Sequence, residues 1–229
     1  VGAFYGRRTN MESHMSEVIL KFQQAGLVPV VVLDTPEQAV PLAKALLDGG
    51  IDVMEVTYRT DAAEQAISRI AREVPEMTVG AGTVLDAATA ANALAAGAKF
   101  LVSPGLSLEE VAYCHARSAP LFPGIATASE LQAAVCAGLT AVKFFPAQQL
   151  GGPAIIQALG AAFPKVRFMP TGGIGLENLE SYLSLPNVFA CGGSWVCPTR
   201  LIRSGEFQVI TALCRNARKE VERILSNCA

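Results

Sequence analysis

The 229-residue chain is 51% hydrophobic and 17% charged, with a formal net charge of −2. That is ample material for a core, while the lack of Lys/Arg clusters argues against a general nucleic-acid-binding or polybasic membrane protein. No apolar run is long enough for a signal-peptide core or a membrane span, and the cysteines at 114, 136, 191, 197, 214 and 228 form no C-x-x-C pair. With His14 and His115 far apart, a zinc site is disfavoured; unclustered cysteines fit a reducing, cytoplasmic compartment better than a disulfide scaffold.

Residues 1–15 are set apart as an N-terminal tail, either disordered or added ahead of the native start, and 16–229 are taken as one domain with an N-terminal helix. From Leu27 onward two kinds of segment alternate. The strand-like run Val28–Leu33 precedes a helix-compatible stretch, Pro36–Leu47; Asp52–Thr57 precedes Asp61–Glu73; Met77–Ala81 precedes Ala87–Ala96; and Lys99–Ser103 precedes Leu108–Arg117. The same order continues through Leu121–Ile125 and Ser129–Ala137, Ala141–Phe145 and Pro153–Phe163, Val166–Pro170 and Leu176–Leu183, then Val188–Cys191 and Arg200–Leu225, which Gly205 interrupts. Alternation of this kind implies parallel βαβ units. Helix starts are marked by Asp34-Thr35-Pro36 and Asp61, and helix ends by Gly49-Gly50, Gly97 and Gly138. An open doubly wound sheet competes with a closed barrel, but eight regular units in about 200 residues favour a (β/α)8 TIM barrel. No shift in composition marks a second domain.

In such barrels chemistry sits at the C-terminal ends of the strands. Period-two alternation puts Glu55 on one face with Val53 and Thr57, and Lys143 on one face with Ala141 and Phe145. Both would point inward and could face each other. An ammonium among Val, Phe and Pro loses hydration, which favours the neutral, nucleophilic amine that forms Schiff bases with carbonyl compounds. Lys143 is the lysine placed for this, since Lys99 and Lys165 fall at strand starts and Lys21, Lys44 and Lys219 in helices. A buried Lys143–Glu55 ion pair without chemistry is the alternative.

Arg59 follows the second strand and Thr83 the third; a guanidinium fork and a hydroxyl together suit the carboxylate of an α-keto acid. Each could equally be a surface or turn residue. Gly172-Gly173 follows the seventh strand and Gly192-Gly193-Ser194 the eighth, positions where barrels bind phosphate through backbone N–H groups, though tight turns would use the same residues. Pro104, Phe145 and Trp195 are hydrophobic neighbours of these positions that read first as core.

Six segments together resemble the family of 2-keto-3-deoxy-6-phosphogluconate (KDPG) aldolases, which includes forms acting on 4-hydroxy-2-oxoglutarate (KHG). They are Glu55-Val56-Thr57-x-Arg59-Thr60, Val79-Gly80-Ala81-Gly82-Thr83-Val84, Ser103-Pro104-Gly105, Val142-Lys143-Phe144-Phe145-Pro146, Pro170-Thr171-Gly172-Gly173 and Gly192-Gly193-Ser194-Trp195. The resemblance implies a class I aldolase of the Entner-Doudoroff type on a TIM barrel, a homotrimer needing no metal and no cofactor, whose partner is a phosphorylated keto acid. By the same resemblance Lys143 is the Schiff-base lysine and Glu55 the general acid/base. Arg59 and Thr83 bind the carboxylate, Pro104 and Phe145 pack on the pyruvyl carbon, and Gly172, Gly173 and Ser194 hold phosphate. Tyr58 and Ala126 depart from the family's usual Leu and Ser. An aldolase mainly for 4-hydroxy-2-oxoglutarate and a non-catalytic phosphosugar-binding barrel are the rival readings.

Overall fold

The computed structural model describes residues 2–228, with side chains from 13 to 227. Arg7, Arg8 and Cys228 therefore lie outside the described side chains. Helix α1 (Gly2–Ala25) precedes strand β1 (Leu27–Val31); a 3-10 turn (Pro36–Gln38) leads into α2 (Ala39–Asp48), followed by β2 (Val53–Thr57) and α3 (Ala63–Glu73). The alternation continues with β3 (Thr78–Gly82), α4 (Ala87–Ala95), β4 (Leu101–Val102), α5 (Leu108–Ala116), β5 (Leu121–Phe122), β6 (Gly124–Ile125) and α6 (Ala128–Cys136). It ends with β7 (Ala141–Phe144), α7 (Pro153–Ala162), β8 (Arg167–Pro170), α8 (Leu179–Leu183), β9 (Cys191–Gly193), α9 (Thr199–Arg203) and α10 (Phe207–Cys228).

Every ladder is parallel. The strands form a six-stranded sheet, order β5-β4-β3-β2-β1-β9, and a three-stranded sheet, order β6-β7-β8. This is the α/β architecture expected from the alternation. Strands buried on both faces read as near-continuous apolar runs, as in β1 and β7. The helices instead bury one stripe: α3 turns Ala63, Ala66, Ile67 and Ile70 inward at helical spacing. Side-chain caps fix where helices begin. Asp86 accepts from the Thr89 N–H ahead of α4 at 2.7 Å, and Thr127 and Glu130 form a reciprocal capping box ahead of α6.

Several expected elements differ in extent: the strand expected over Lys99–Ser103 is confined to Leu101–Val102, the one expected over Val188–Cys191 lies at Cys191–Gly193, and three further differences have a local cause. The single strand Leu121–Ile125 is divided at Pro123, which has no N–H for the ladder, although its carbonyl still accepts from the Lys143 N–H at 2.9 Å. The helix expected from Leu176 begins only at Leu179, because Gly175 to Asn178 form a side-chain-bonded turn. Arg200–Leu225 is two helices, parted where Gly205 adopts φ 72°.

Aromatic rings close the end of the interior opposite the loops that follow the strands. Phe22 of α1 meets Phe100, Phe122 and Phe189 with ring centroids 4.8, 5.2 and 6.2 Å away. The Phe100 ring lies over Gly80, the ladder partner of Glu55, so this apolar plug reaches the level of the buried carboxylate. Phe22 is fully buried. Phe22→Ala is expected to destabilise the fold by about 3–5 kcal/mol, the cost of an aromatic cavity; urea denaturation of variant and parent measures it, and a loss below about 1 kcal/mol would mean that the plug collapses to refill the space.

Candidate active site

Lys143 and Glu55 meet in the interior. Lys143 is 5% exposed and Glu55 1%, and Nζ stands 3.8 Å from Oε1. That separation is too long for a hydrogen bond, and the other carboxylate oxygen, Oε2, is buried with no hydrogen-bond partner among the described residues. The pair is positioned by backbone on both sides. Lys143 is flanked in its ladder by Gly124 and Met169, and Glu55 by Val30 and Gly80. A Cβ on Gly82, one pleat along the neighbouring strand, would overlap the Glu55 carboxylate, so this side chain fits only because Gly82 has none.

Thr83 follows directly, in the left-handed region at φ 57°. For a β-branched residue this is strained backbone, held because its neighbours are pinned. The Gly82 carbonyl accepts from the Tyr58 N–H at 2.8 Å, and the Val84 N–H donates to Val102 at 3.1 Å. The first of these bonds also ties the β2–α3 loop, which carries Arg59, to the end of β3. Arg59 is exposed and makes no ion pair among the described residues. It lines a depression of about 350 Å³ with Tyr58, Thr60, Asp61 and Glu64, a set that leaves out Lys143 and Glu55. Arg59 therefore stands beside Thr83 at this strand end, on a loop tied to β3. Burial, reinforced by Glu64, pushes the Tyr58 hydroxyl up to about 12.

The remaining candidates line up along adjacent strands. A Cβ on Gly124, beside Lys143, would overlap the Pro104 carbonyl, so Pro104 lies across that strand end. The Phe145 ring centroid is 5.2 Å from Lys143 Nζ, and Gly172 packs within 3.3 Å of the same ring when given a Cβ. Thr171 bridges to Gly192, which brings Gly172-Gly173 and Gly193-Ser194 side by side. Gly172 and Gly173 have φ 100° and 70°. Their N–H groups, and that of exposed Ser194, find no acceptor among the described residues. Trp195 is half-buried with its ring over Gly193. The geometry thus offers an enclosed amine–carboxylate pair with a run of free backbone donors one strand away.

A family model for KDPG and KHG aldolase matches residues 18–213. The 2-dehydro-3-deoxy-phosphogluconate aldolase of Treponema pallidum is 48% identical over 199 residues, covering 87% of this chain and 95% of that one. Among solved structures, a KDPG aldolase from Legionella pneumophila, with pyruvate captured at low pH as a covalent carbinolamine intermediate, superposes with a TM-score of 0.84. It is 41% identical, with 86% of this chain and 96% of that chain covered. The 2-keto-3-deoxy-6-phosphogluconate aldolase of Zymomonas mobilis ZM4 with 3-phosphoglycerate gives 0.83 at 40% identity, covering 89% and 96%. The chain is an aldolase, a carbon–carbon lyase. It belongs to the KDPG and KHG aldolase family.

Four residues around this site were not singled out in the sequence. Gln148, Asn178 and Tyr182 form a hydrogen-bonded group behind Gly172-Gly173, and Glu110 of α5 is buried beneath the Ser103-Pro104-Gly105 loop at 1% exposure. Nothing in the helical pattern of α5 distinguishes Glu110 from exposed Glu109; only packing does. Its Oε1 has no partner. Desolvation lifts its carboxyl from 4.5 to about 7; the Ser103 hydroxyl opposes the rise and the Asp86 charge adds to it. An acid that holds its proton more tightly when folded makes stability fall as pH rises from 4.5 toward 7 and level off above. Glu110→Gln is expected to flatten that slope, gaining about 1–3 kcal/mol at pH 8 and almost nothing at pH 4.5. Chemical denaturation of both proteins across this range measures it, and parallel pH profiles would contradict the assignment.

Proposed function

We propose that this chain is a class I aldolase that cleaves 2-dehydro-3-deoxy-6-phosphogluconate to pyruvate and glyceraldehyde 3-phosphate, and 4-hydroxy-2-oxoglutarate to pyruvate and glyoxylate. The observation that carries the reading is the buried Lys143–Glu55 pair, 3.8 Å apart and lacking any hydrogen bond between its members. A structural ion pair at this depth would need good geometry and satisfied lone pairs to offset desolvation. This one leaves Glu55 Oε2 unpartnered, which suits a group waiting for a substrate or water proton. The carbinolamine in the Legionella relative supports the same chemistry.

Lys143, as the neutral amine, adds to the C2 carbonyl. Loss of water from the carbinolamine leaves a protonated imine, which draws the electron pair of the C3–C4 bond. As that bond breaks, Glu55 takes the C4 hydroxyl proton directly or through a water, and the aldehyde departs. The enamine left on Lys143 is then protonated at C3, and hydrolysis releases pyruvate and regenerates the amine. Arg59, exposed and without an ion pair among the described residues, and Thr83 bind the substrate carboxylate. Pro104 and Phe145 pack on the pyruvyl carbon, and Gly172, Gly173 and Ser194 hold the phosphate.

The same reading extends to architecture and setting. We place the two sheets in one closed (β/α)8 barrel: β5 and β6 are separated only by Pro123, and single parallel bridges, Phe168 to Val188 and Thr171 to Gly192, span the other seam. Residues 16–229 make up the barrel domain and 1–15 a segment ahead of it. A cytoplasmic homotrimer is the proposed form; among the described residues no helix is long and apolar enough to cross a membrane.

Borohydride reduction in the presence of pyruvate is expected to leave a pyruvyl adduct on Lys143, read by intact mass and peptide mapping. Lys143→Ala should lose both adduct and turnover while melting like the parent. Glu55→Gln should still form the adduct but turn over about 10²–10⁴-fold more slowly. No adduct, or an adduct on another lysine, would sink the mechanism and favour a phosphosugar-binding barrel without catalysis.

A further inference from the structure

One side-chain amide completes the hydrogen bonding of the turn after β8. Three consecutive carbonyls in it are occupied: Thr171 O accepts from the Ala147 N–H at 2.8 Å, Gly172 O from the Gln148 N–H at 3.0 Å, and Gly173 O from Asn178 Nδ2 at 2.9 Å. In a trans peptide the N–H points opposite to the C=O of the same unit. Fixing those three carbonyls therefore turns the next N–H groups, of Gly172, Gly173 and Ile174, to the other side. None of the three meets an acceptor among the described residues. Successive free N–H groups in a turn with left-handed glycines form a concave anion site.

Two of the three carbonyls are held by the backbone of the β7–α7 loop. The third depends on Asn178, and the side chain is committed to that task. Asn178 stands immediately before α8, where an Asn ordinarily caps the helix with its side chain, yet it makes no such cap. Its Oδ1 instead accepts from the Gly175 N–H at 2.9 Å, while Nδ2 donates to Gly173 O and, at 3.3 Å, to Gln148 Oε1. Only this amide orientation gives every partner a complementary group. Gln148 Oε1 is itself fixed by the hydroxyl of fully buried Tyr182 at 2.7 Å. The chain of contacts runs from the core to the peptide between Gly173 and Ile174.

We infer that Asn178 is a positioning residue for phosphate, setting the preference for a phosphorylated substrate tail without touching the reacting carbons. This rests on the reading of Gly172-Gly173 as the phosphate site. It makes Asn178 a determinant of specificity between two substrates that share a pyruvyl head: the phosphorylated sugar acid needs an ordered turn, and 4-hydroxy-2-oxoglutarate brings no phosphate to it.

The test compares the parent with Asn178→Ala and Tyr182→Phe on both substrates, with borohydride trapping of pyruvate on Lys143 as the check on the barrel. Asn178→Ala is expected to raise KM for 2-dehydro-3-deoxy-6-phosphogluconate about tenfold, the worth of a lost hydrogen bond to an oriented site. Its kcat/KM for 4-hydroxy-2-oxoglutarate and its pyruvate adduct should match the parent. Tyr182→Phe, which removes only the hydroxyl anchoring Gln148, should move KM the same way by a smaller factor and stands in should Asn178→Ala fail to fold. Equal losses on both substrates, or no change on either, would overturn the role of Asn178. The underlying phosphate reading is checked separately in the condensation direction. A parent enzyme that joins pyruvate to glyceraldehyde as readily as to glyceraldehyde 3-phosphate would overturn that reading whatever the variants do.

Discussion

An amine and a carboxylate buried 3.8 Å apart, without a hydrogen bond between them, is the constraint around which the rest of this chain is arranged. Two such groups are expensive to remove from water, and their attraction recovers the cost only in part. The surroundings make the arrangement tenable by denying alternatives. Gly82 leaves space where any side chain would displace the Glu55 carboxylate, and the Phe22–Phe100–Phe122–Phe189 plug packs buried rings behind it. Stability is supplied at the plug and spent at the strand ends, where Thr83 is held at φ 57° and Glu55 Oε2 and Glu110 Oε1 are left unpartnered. The two buried carboxylates differ in their surroundings: Glu55 faces the Lys143 side chain, whereas Glu110 forms no ion pair among the described residues and desolvation raises its carboxyl to about 7.

What could be read from the sequence follows from the period of a strand. Alternation by two assigns each residue a face with no knowledge of the fold, so Glu55 and Lys143 could be aimed inward before any partner was known. Their meeting across the interior is borne out by the distance between them. Position along a strand was equally legible, since Lys143 stands near the end of its apolar run and Lys99 and Lys165 near the starts of theirs. Arg59 was harder. Its place after β2 is given by the chain, but the direction of a long side chain on a loop is not.

The residues that escaped notice are those whose roles depend on contacts distant in sequence. Asn178 reads as part of a helix because Leu176, Leu179 and Leu183 have helical spacing; its amide is claimed instead by Gly173, Gly175 and by Gln148, 30 positions away. Glu110 falls within the expected helix Leu108–Arg117 next to exposed Glu109, and only packing in the fold sets it apart. The strand boundary at Pro123 was legible in principle, because a proline cannot donate to a ladder. The apolar run Leu121–Ile125 masks it, and a run of that length says nothing about where the hydrogen bonds stop.

The two ends of the proposed substrate are met by different physical means. On the proposed reading, the pyruvyl head would fall among side chains carried by strands, where the ladders leave each little freedom, and a covalent bond to Lys143 would add to that fixity. The tail would fall on backbone N–H groups of two loops, whose direction depends on which carbonyls are held. A change in the loops can therefore retune the tail while leaving the chemistry at Lys143 alone. The reverse does not hold, since Gly124 beside the lysine packs on the Pro104 carbonyl and Phe145 packs on Gly172, so a shift in the strand layer moves both ends. A family that joins a phosphorylated and an unphosphorylated substrate under one description fits this asymmetry: a common head demands one rigid layer, and a variable tail asks only that the outer turns be adjustable.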